Sequence, residues 1–213
     1  MVSINKQKIS GYKKMEVPFM LLSQAEHSKR LAIILPGAGY TAQAPLLHYS
    51  TEVFLNRSFD VLEINYQYNN EAYEDFTMEE LSLAIQYDVK TVLDQVLENN
   101  NYENFYIVGK SLGTIAMVSE MDRKIFEDAK WVWLTPLIHR DDILEAMIRS
   151  KNGLSFIGDQ DRCYTVERYN RLNHNPSITC RLIPGVGHSL EFEGDIGKSL
   201  DILKDVITEI ETF

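Results

Sequence analysis

A serine stands between two glycines in Gly109-Lys110-Ser111-Leu112-Gly113, after the apolar run Phe105-Tyr106-Ile107-Val108 and before the helix-compatible Thr114-Ile115-Ala116-Met117-Val118. Strand, sharp turn and helix in that order expose a serine hydroxyl at the edge of a sheet. The flanking glycines lack the Cβ atoms that would strike neighbouring backbone. Ser111 is therefore the candidate nucleophile. The same residues could instead close a phosphate-cradling Walker A loop, but that motif places a glycine at position 104, where this chain has Asn104.

A serine hydroxyl attacks a carbonyl only when a base takes its proton, and the base needs a carboxylate to orient it. Five histidines are present, at 27, 48, 139, 174 and 188. His188 lies in the Gly-rich segment Pro184-Gly185-Val186-Gly187-His188-Ser189, just after an apolar run. His174, in Arg171-Leu172-Asn173-His174-Asn175-Pro176, reads as a surface turn. Phe156-Ile157-Gly158-Asp159-Gln160-Asp161-Arg162-Cys163 offers two acids after a strand. An oxyanion also requires two backbone N–H donors. Leu112, directly after the serine, supplies one, and the loop Pro36-Gly37-Ala38-Gly39-Tyr40 is the place to look for the other.

Taken together, Pro36-Gly37-Ala38-Gly39, Gly109-Lys110-Ser111-Leu112-Gly113, Gly158 to Asp161 and Gly187-His188 resemble the α/β-hydrolase family of serine hydrolases. The resemblance implies the chain order serine, acid, histidine, which leaves His174 and His188 and favours His188. It implies Asp161, three residues past the glycine, as the acid, with Asp159 left to orient the turn. It implies Ala38 and Leu112 as the oxyanion donors, and acyl transfer from an ester or thioester to water without a metal or organic cofactor. An amide or peptide hydrolase with the same triad, and a catalytically silent binding protein of the same fold, are the alternatives. Many members carry His-Gly where this chain has Pro36-Gly37, a departure that spares the backbone donor.

Positioning these residues takes strands alternating with helices. Lys14 to Leu22 reads as an opening extended segment, and Leu31 to Leu35 as a buried strand ended by Pro36-Gly37. A helix over Pro45–Leu55 and a strand over Asp60–Tyr66 complete a β-α-β unit. Met78 to Leu97, apolar at 81, 85, 89, 92, 93 and 96, is a long amphipathic helix closed by Asn99-Asn100-Asn101. Further strands are expected at Trp131–Leu134, Leu154–Ile157 and Ile178–Ile183, with helices near Asp142–Arg149 and Thr165–Arg171. The last helix runs over about Gly194–Ile210, apolar at 196, 200, 203, 206, 207 and 210. The fold class is α/β, with a mostly parallel sheet covered on both faces, in a single domain over 1–213. The segment between the Trp131 and Leu154 strands is too short for a separate lid.

Composition narrows the partners. With 21 Lys+Arg against 31 Asp+Glu the formal charge is −10, which disfavours nucleic acid. No window approaches the length of an apolar membrane span, and Met1 to Lys6 lacks the apolar core of a signal peptide. Cys163 and Cys180 stand outside any CxxC or zinc spacing and read as small buried side chains, which fits a cytoplasmic setting. The expected partner is a small ester-type substrate. Tyr40, Tyr66, Tyr68 and Tyr73 are placed either as pocket walls or as surface aromatics. Trp131 and Trp133 are placed in the core. Lys110 either favours an acidic substrate or faces away.

Overall fold

The computed structural model describes residues 2–23 and 28–213; His27 lies outside them. Among the described residues, eight strands form one sheet in the order β1-β2-β4-β3-β5-β6-β7-β8. The strands are β1 (Ser3–Ser10), β2 (Glu16–Ser23), β3 (Arg30–Leu35), β4 (Asp60–Ile64), β5 (Asn104–Lys110), β6 (Lys130–Leu134), β7 (Gly153–Gly158) and β8 (Ile178–Ile183). The β1–β2 and β2–β4 pairings are antiparallel, and all others are parallel. The opening extended segment is thus the second arm of a hairpin. Its first arm, β1, is mostly exposed and has no apolar run to announce it.

Helices are α1 (Pro45–Asn56), α2 (Met78–Glu98), α3 (Gly113–Glu120), α4 (Asp141–Arg149), α5 (Val166–Asn173) and α6 (Ile196–Thr212). They divide between the two faces as parallel strands require. On one face α2, α3, α4 and α5 pack over Ile33, Leu62, Ile107 and Trp133; on the other, α1 and α6 pack over Ile34, Val61, Val108 and Val132. Alternation along β3 explains the division, since Ile33 and Ile34 point to opposite faces and both are fully buried. Trp131 and Trp133 lie in the core as the sequence indicates.

Local chemistry sets the helix ends. Thr77 caps α2 by accepting from the Glu80 N–H at 3.2 Å, and the Asn99 and Asn100 amides cover the Gln95 and Val96 carbonyls at its other end. The apolar stripe of α6 is buried only in part. Val206 and Ile210 are core, whereas Ile196 and Leu200 are 81% and 59% exposed.

Strand order reverses at β3, which has β4 on one side and β5 on the other. Loops leaving neighbouring strands in opposite directions open a crevice at such a point. In register, Leu35 pairs with Gly109, Lys110 with Leu134, Leu134 with Phe156 and Gly158 with Ile183. The ends of five parallel strands therefore share one edge of the sheet, and the segments read as chemical all leave from it.

Candidate active site

Ser111 follows the last residue of β5 with φ at +51°, a left-handed conformation that costs an L-residue roughly 1–2 kcal/mol. Its own backbone is held there from both sides. The Ser111 N–H donates to the Leu134 carbonyl at 3.0 Å, and the Ser111 carbonyl accepts from the Thr114 N–H at 2.9 Å and the Thr114 hydroxyl at 2.6 Å. The turn is possible because Gly113 lets α3 press against β3, where a Cβ would stand 2.2 Å from the Leu35 carbonyl oxygen.

His188 arrives on the loop after β8. Its Nε2 is 2.8 Å from Ser111 Oγ, and its Nδ1 is 2.9 and 2.8 Å from the two Asp161 carboxylate oxygens. The carboxylate places the ring proton on Nδ1 and leaves the Nε2 lone pair facing the serine hydroxyl. Asp161 has a fully buried side chain, while that of His188 is 25% exposed. Burial alone pushes the Asp161 carboxyl up, but hydrogen bonds from His188 and from the Cys163 N–H at 2.8 Å outweigh it and hold the group below the usual aspartate range. Gly158 brings the Asp161 and His188 loops together, since a Cβ there would lie 1.9 Å from the Val186 carbonyl oxygen.

The neighbouring acid does something different. Asp159 Oδ1 accepts from the Gly185 N–H at 2.8 Å, where the backbone turns at φ +76°, so Asp159 shapes the loop that delivers His188. Thr165, with its side chain accepting from Arg168, caps α5, which leaves Asp161 free of any capping role. His174 is exposed at the end of α5, as its turn-like sequence indicates.

On the other flank, the loop after β3 packs directly on Ser111, and a Cβ at Gly37 would sit 3.3 Å from Ser111 Cβ. Ala38 is half-buried beside it and Leu112 is buried. No backbone carbonyl among the described residues takes up the Ala38 or Leu112 N–H, whereas Gly37 N–H closes its own turn on Tyr40 O at 3.1 Å. A groove of about 720 Å³ runs along the His188 loop between Tyr40, Leu46, Leu190 and Phe192, with Glu191 and Glu193 at its side.

The surface reading of Tyr66, Tyr68 and Tyr73 is overturned, because all three are buried, while Tyr66 also walls a second cavity of about 770 Å³ beside Pro36 and Asn65. Each hides its ring in the core, and Tyr66 and Tyr68 spend their hydroxyls on Pro36 O and Asp88 Oδ2. Lys110 does not reach into the site either. It is 2% exposed and bonds Thr135 Oγ1 and the His188 carbonyl, so it offers an acidic substrate no direct contact. The alternation of Tyr106, Val108 and Lys110 along β5 was the available signal for its burial. Nothing in the sequence marks Thr135, whose φ is +44°.

Asp161, Cys163 and His188 also bring ligand-type atoms within 4.8 Å of one another. Burial raises the Cys163 thiol to about 11, and Asp161 is committed to the imidazole and a backbone N–H. This is poor ground for a thiolate metal site. Cys163 is buried, Cys180 half-buried, and both are free thiols.

No family model and no curated protein matches this sequence. Solved structures do match over nearly the whole chain. An alpha-beta serine hydrolase homologue from Coxiella burnetii is similar at TM-score 0.72 and 15% identity, covering 96% of each chain. An esterase from Pyrococcus furiosus is similar at TM-score 0.74 and 13% identity, covering 99% of this chain and 91% of its own. A serine hydrolase without a lid from Xanthomonas campestris is similar at TM-score 0.71 and 14% identity, covering 99% and 93%. Sheet order, helix placement and these likenesses agree: the chain has the α/β-hydrolase fold.

Proposed function

We propose that this protein is a serine hydrolase that cleaves small carboxylic esters or thioesters through an acyl-enzyme. The observation that carries the reading is the 2.8 Å approach of His188 Nε2 to Ser111 Oγ, with Asp161 fixing the tautomer from behind. Ser111 Oγ attacks the carbonyl carbon while its proton passes to Nε2, and the Asp161 carboxylate stabilises the imidazolium. The Ala38 and Leu112 N–H groups receive the oxyanion; one such donor is typically worth about 10²–10³ in rate. The imidazolium then protonates the departing alcohol or thiol. Water, deprotonated by the same nitrogen, releases the acid and restores the serine.

No step draws on a metal or organic cofactor. The esterase and serine hydrolase neighbours support this reaction class. The net charge of −10 argues against nucleic acid as partner, and among the described residues no helix is long and apolar enough to cross a membrane. Two free thiols accord with a reducing, cytoplasmic setting.

The test is covalent labelling by a fluorophosphonate, read by intact mass and peptide mapping on wild type and Ser111→Ala. One adduct on Ser111, absent in the variant, is expected. An unlabelled, folded wild type overturns the reading in favour of a silent binding protein. A substrate panel of matched ester, thioester and amide then sets the leaving-group preference, and turnover confined to the amide would replace the esterase reading with an amidase.

A further inference from the structure

Lys110 stands between Gly109 and the nucleophile, on the face of β5 that carries Tyr106 and Val108. Its Nζ donates to Thr135 Oγ1 at 2.9 Å and to the main-chain oxygen of His188 at 2.8 Å, and lies 4.7 Å from the centre of the Tyr40 ring. One ammonium thereby reaches the end of β6, the loop of the base and the loop of Ala38. Two of these segments contain strained backbone nearby. Thr135 has φ +44°, a region β-branched residues avoid, and Leu190, two residues past the base, has φ +63°. Tyr40 is itself fixed, its hydroxyl accepting from the Leu46 N–H at 2.9 Å.

Burying a cation without a contacting carboxylate works against stability. An apolar side chain of the same length would fill the same space without that cost. What the ammonium adds is directed bonding where the base and the oxyanion loop meet. We propose that Lys110 is a positioning residue of the hydrolase, tying the His188 main chain to Thr135 and to the face of Tyr40 so that the imidazole stays on Ser111. The inference rests on the serine-hydrolase reading above.

The groups that face Lys110 are Tyr40, Thr135 and His188 in contact, with Asp161 and Glu191 acting through space. Burial outweighs both carboxylates and brings the amine down to about 8. Above that pH the charge-assisted strength of its bonds is lost.

Labelling rates of wild type, Lys110→Met, Thr135→Val and Thr135→Ser are to be followed from about pH 6 to about pH 10, with thermal melting and the proton resonance of the His188–Asp161 hydrogen bond. Lys110→Met is expected to label about tenfold more slowly at neutral pH, as loss of a charged hydrogen bond implies. It should also shift that resonance and lack the alkaline fall near about pH 8 that is expected of wild type. Thr135→Val should slow labelling several-fold, and Thr135→Ser should restore it. Melting at neutral pH is expected to change little in Lys110→Met, because relief of the buried charge offsets the donor lost to the His188 carbonyl and the Thr135 hydroxyl.

A folded Lys110→Met with wild-type rate, pH profile and resonance overturns the proposal. If that variant does not fold, Thr135→Val decides, and a wild-type rate and resonance there overturn it equally. An unlabelled wild type defeats the hydrolase reading instead, and the resonance still reports whether Lys110 places the ring.

Discussion

The hydroxyl of Tyr66 donates a 2.7 Å hydrogen bond to the main-chain oxygen of Pro36, the residue that opens the loop carrying Ala38. Tyr66 packs on Tyr68 with ring centres 4.7 Å apart, and the Tyr68 hydroxyl donates to Asp88 Oδ2 at 2.6 Å within α2. The other Asp88 oxygen accepts from the Tyr12 N–H at 2.6 Å, just after β1. The proposed oxyanion loop is thus braced from below, through buried phenols, by a helix and a hairpin.

Tyr66→Phe removes the last link of that brace and leaves the Pro36 carbonyl unpaired. A loss of roughly 1–2 kcal/mol in urea denaturation is expected, together with slower fluorophosphonate labelling while Ser111 and His188 stay in place. Normal labelling in a destabilised Tyr66→Phe protein would reduce the brace to a packing role.

Ser111→Gly should abolish labelling and turnover yet raise stability by about 1 kcal/mol, because glycine takes the left-handed conformation at φ +51° without steric cost. Ser111→Ala should abolish both without that gain. Equal melting temperatures for the two variants would show that the turn stores no strain.

Asp161→Asn keeps the shape of the acid but loses the charge that fixes the His188 tautomer. Turnover is expected to fall by about three to four orders of magnitude. The folded carboxyl is held below its unfolded value, so its contribution to stability is complete above about pH 4 and is lost as pH falls through the folded value. Acid unfolding of Asp161→Asn should therefore be shallower than that of wild type. Parallel acid titrations of the two proteins would contradict the assignment of that charge.

Gly113→Ala drives a methyl to within 2.2 Å of the Leu35 carbonyl oxygen, whereas a Cβ at Gly39 meets nothing within 4 Å. The first is expected to cost more than about 2 kcal/mol and the second less than about 0.5 kcal/mol in chemical denaturation. Similar midpoints would mean that α3 can slide away from β3 freely.

The parts of the fold legible in the sequence are those where one physical demand dominates. Buried strands such as Leu31–Leu35 and the helical period of Met78–Leu97 declare themselves, and Gly109 to Gly113 carries its turn in its glycines. The choice between Asp159 and Asp161 needed the family pattern, since two carboxylates two residues apart differ only in what their loop presents to them. β1 was missed because an exposed edge strand, SINKQKIS, has no apolar alternation to show. The burial of Tyr66 and Tyr68 is not legible in the sequence because a phenol is buried or exposed according to whether its hydroxyl finds an acceptor, and Pro36 O and Asp88 are 30 and 20 residues away.

Because His188 enters on the loop after β8, the last strand of the sheet in chain order, the proposed nucleophile and its proposed base are 77 residues apart and meet only when the parallel edge is formed. On the proposed reading, Ser111 leaves the ribosome as an ordinary alcohol and acquires its base only after six further elements, α3 to β8, have docked. Reactivity at Ser111 is then a report on the finished sheet. On that reading, a partly folded chain that already has its elbow holds an ordinary alcohol, which passing esters do not acylate.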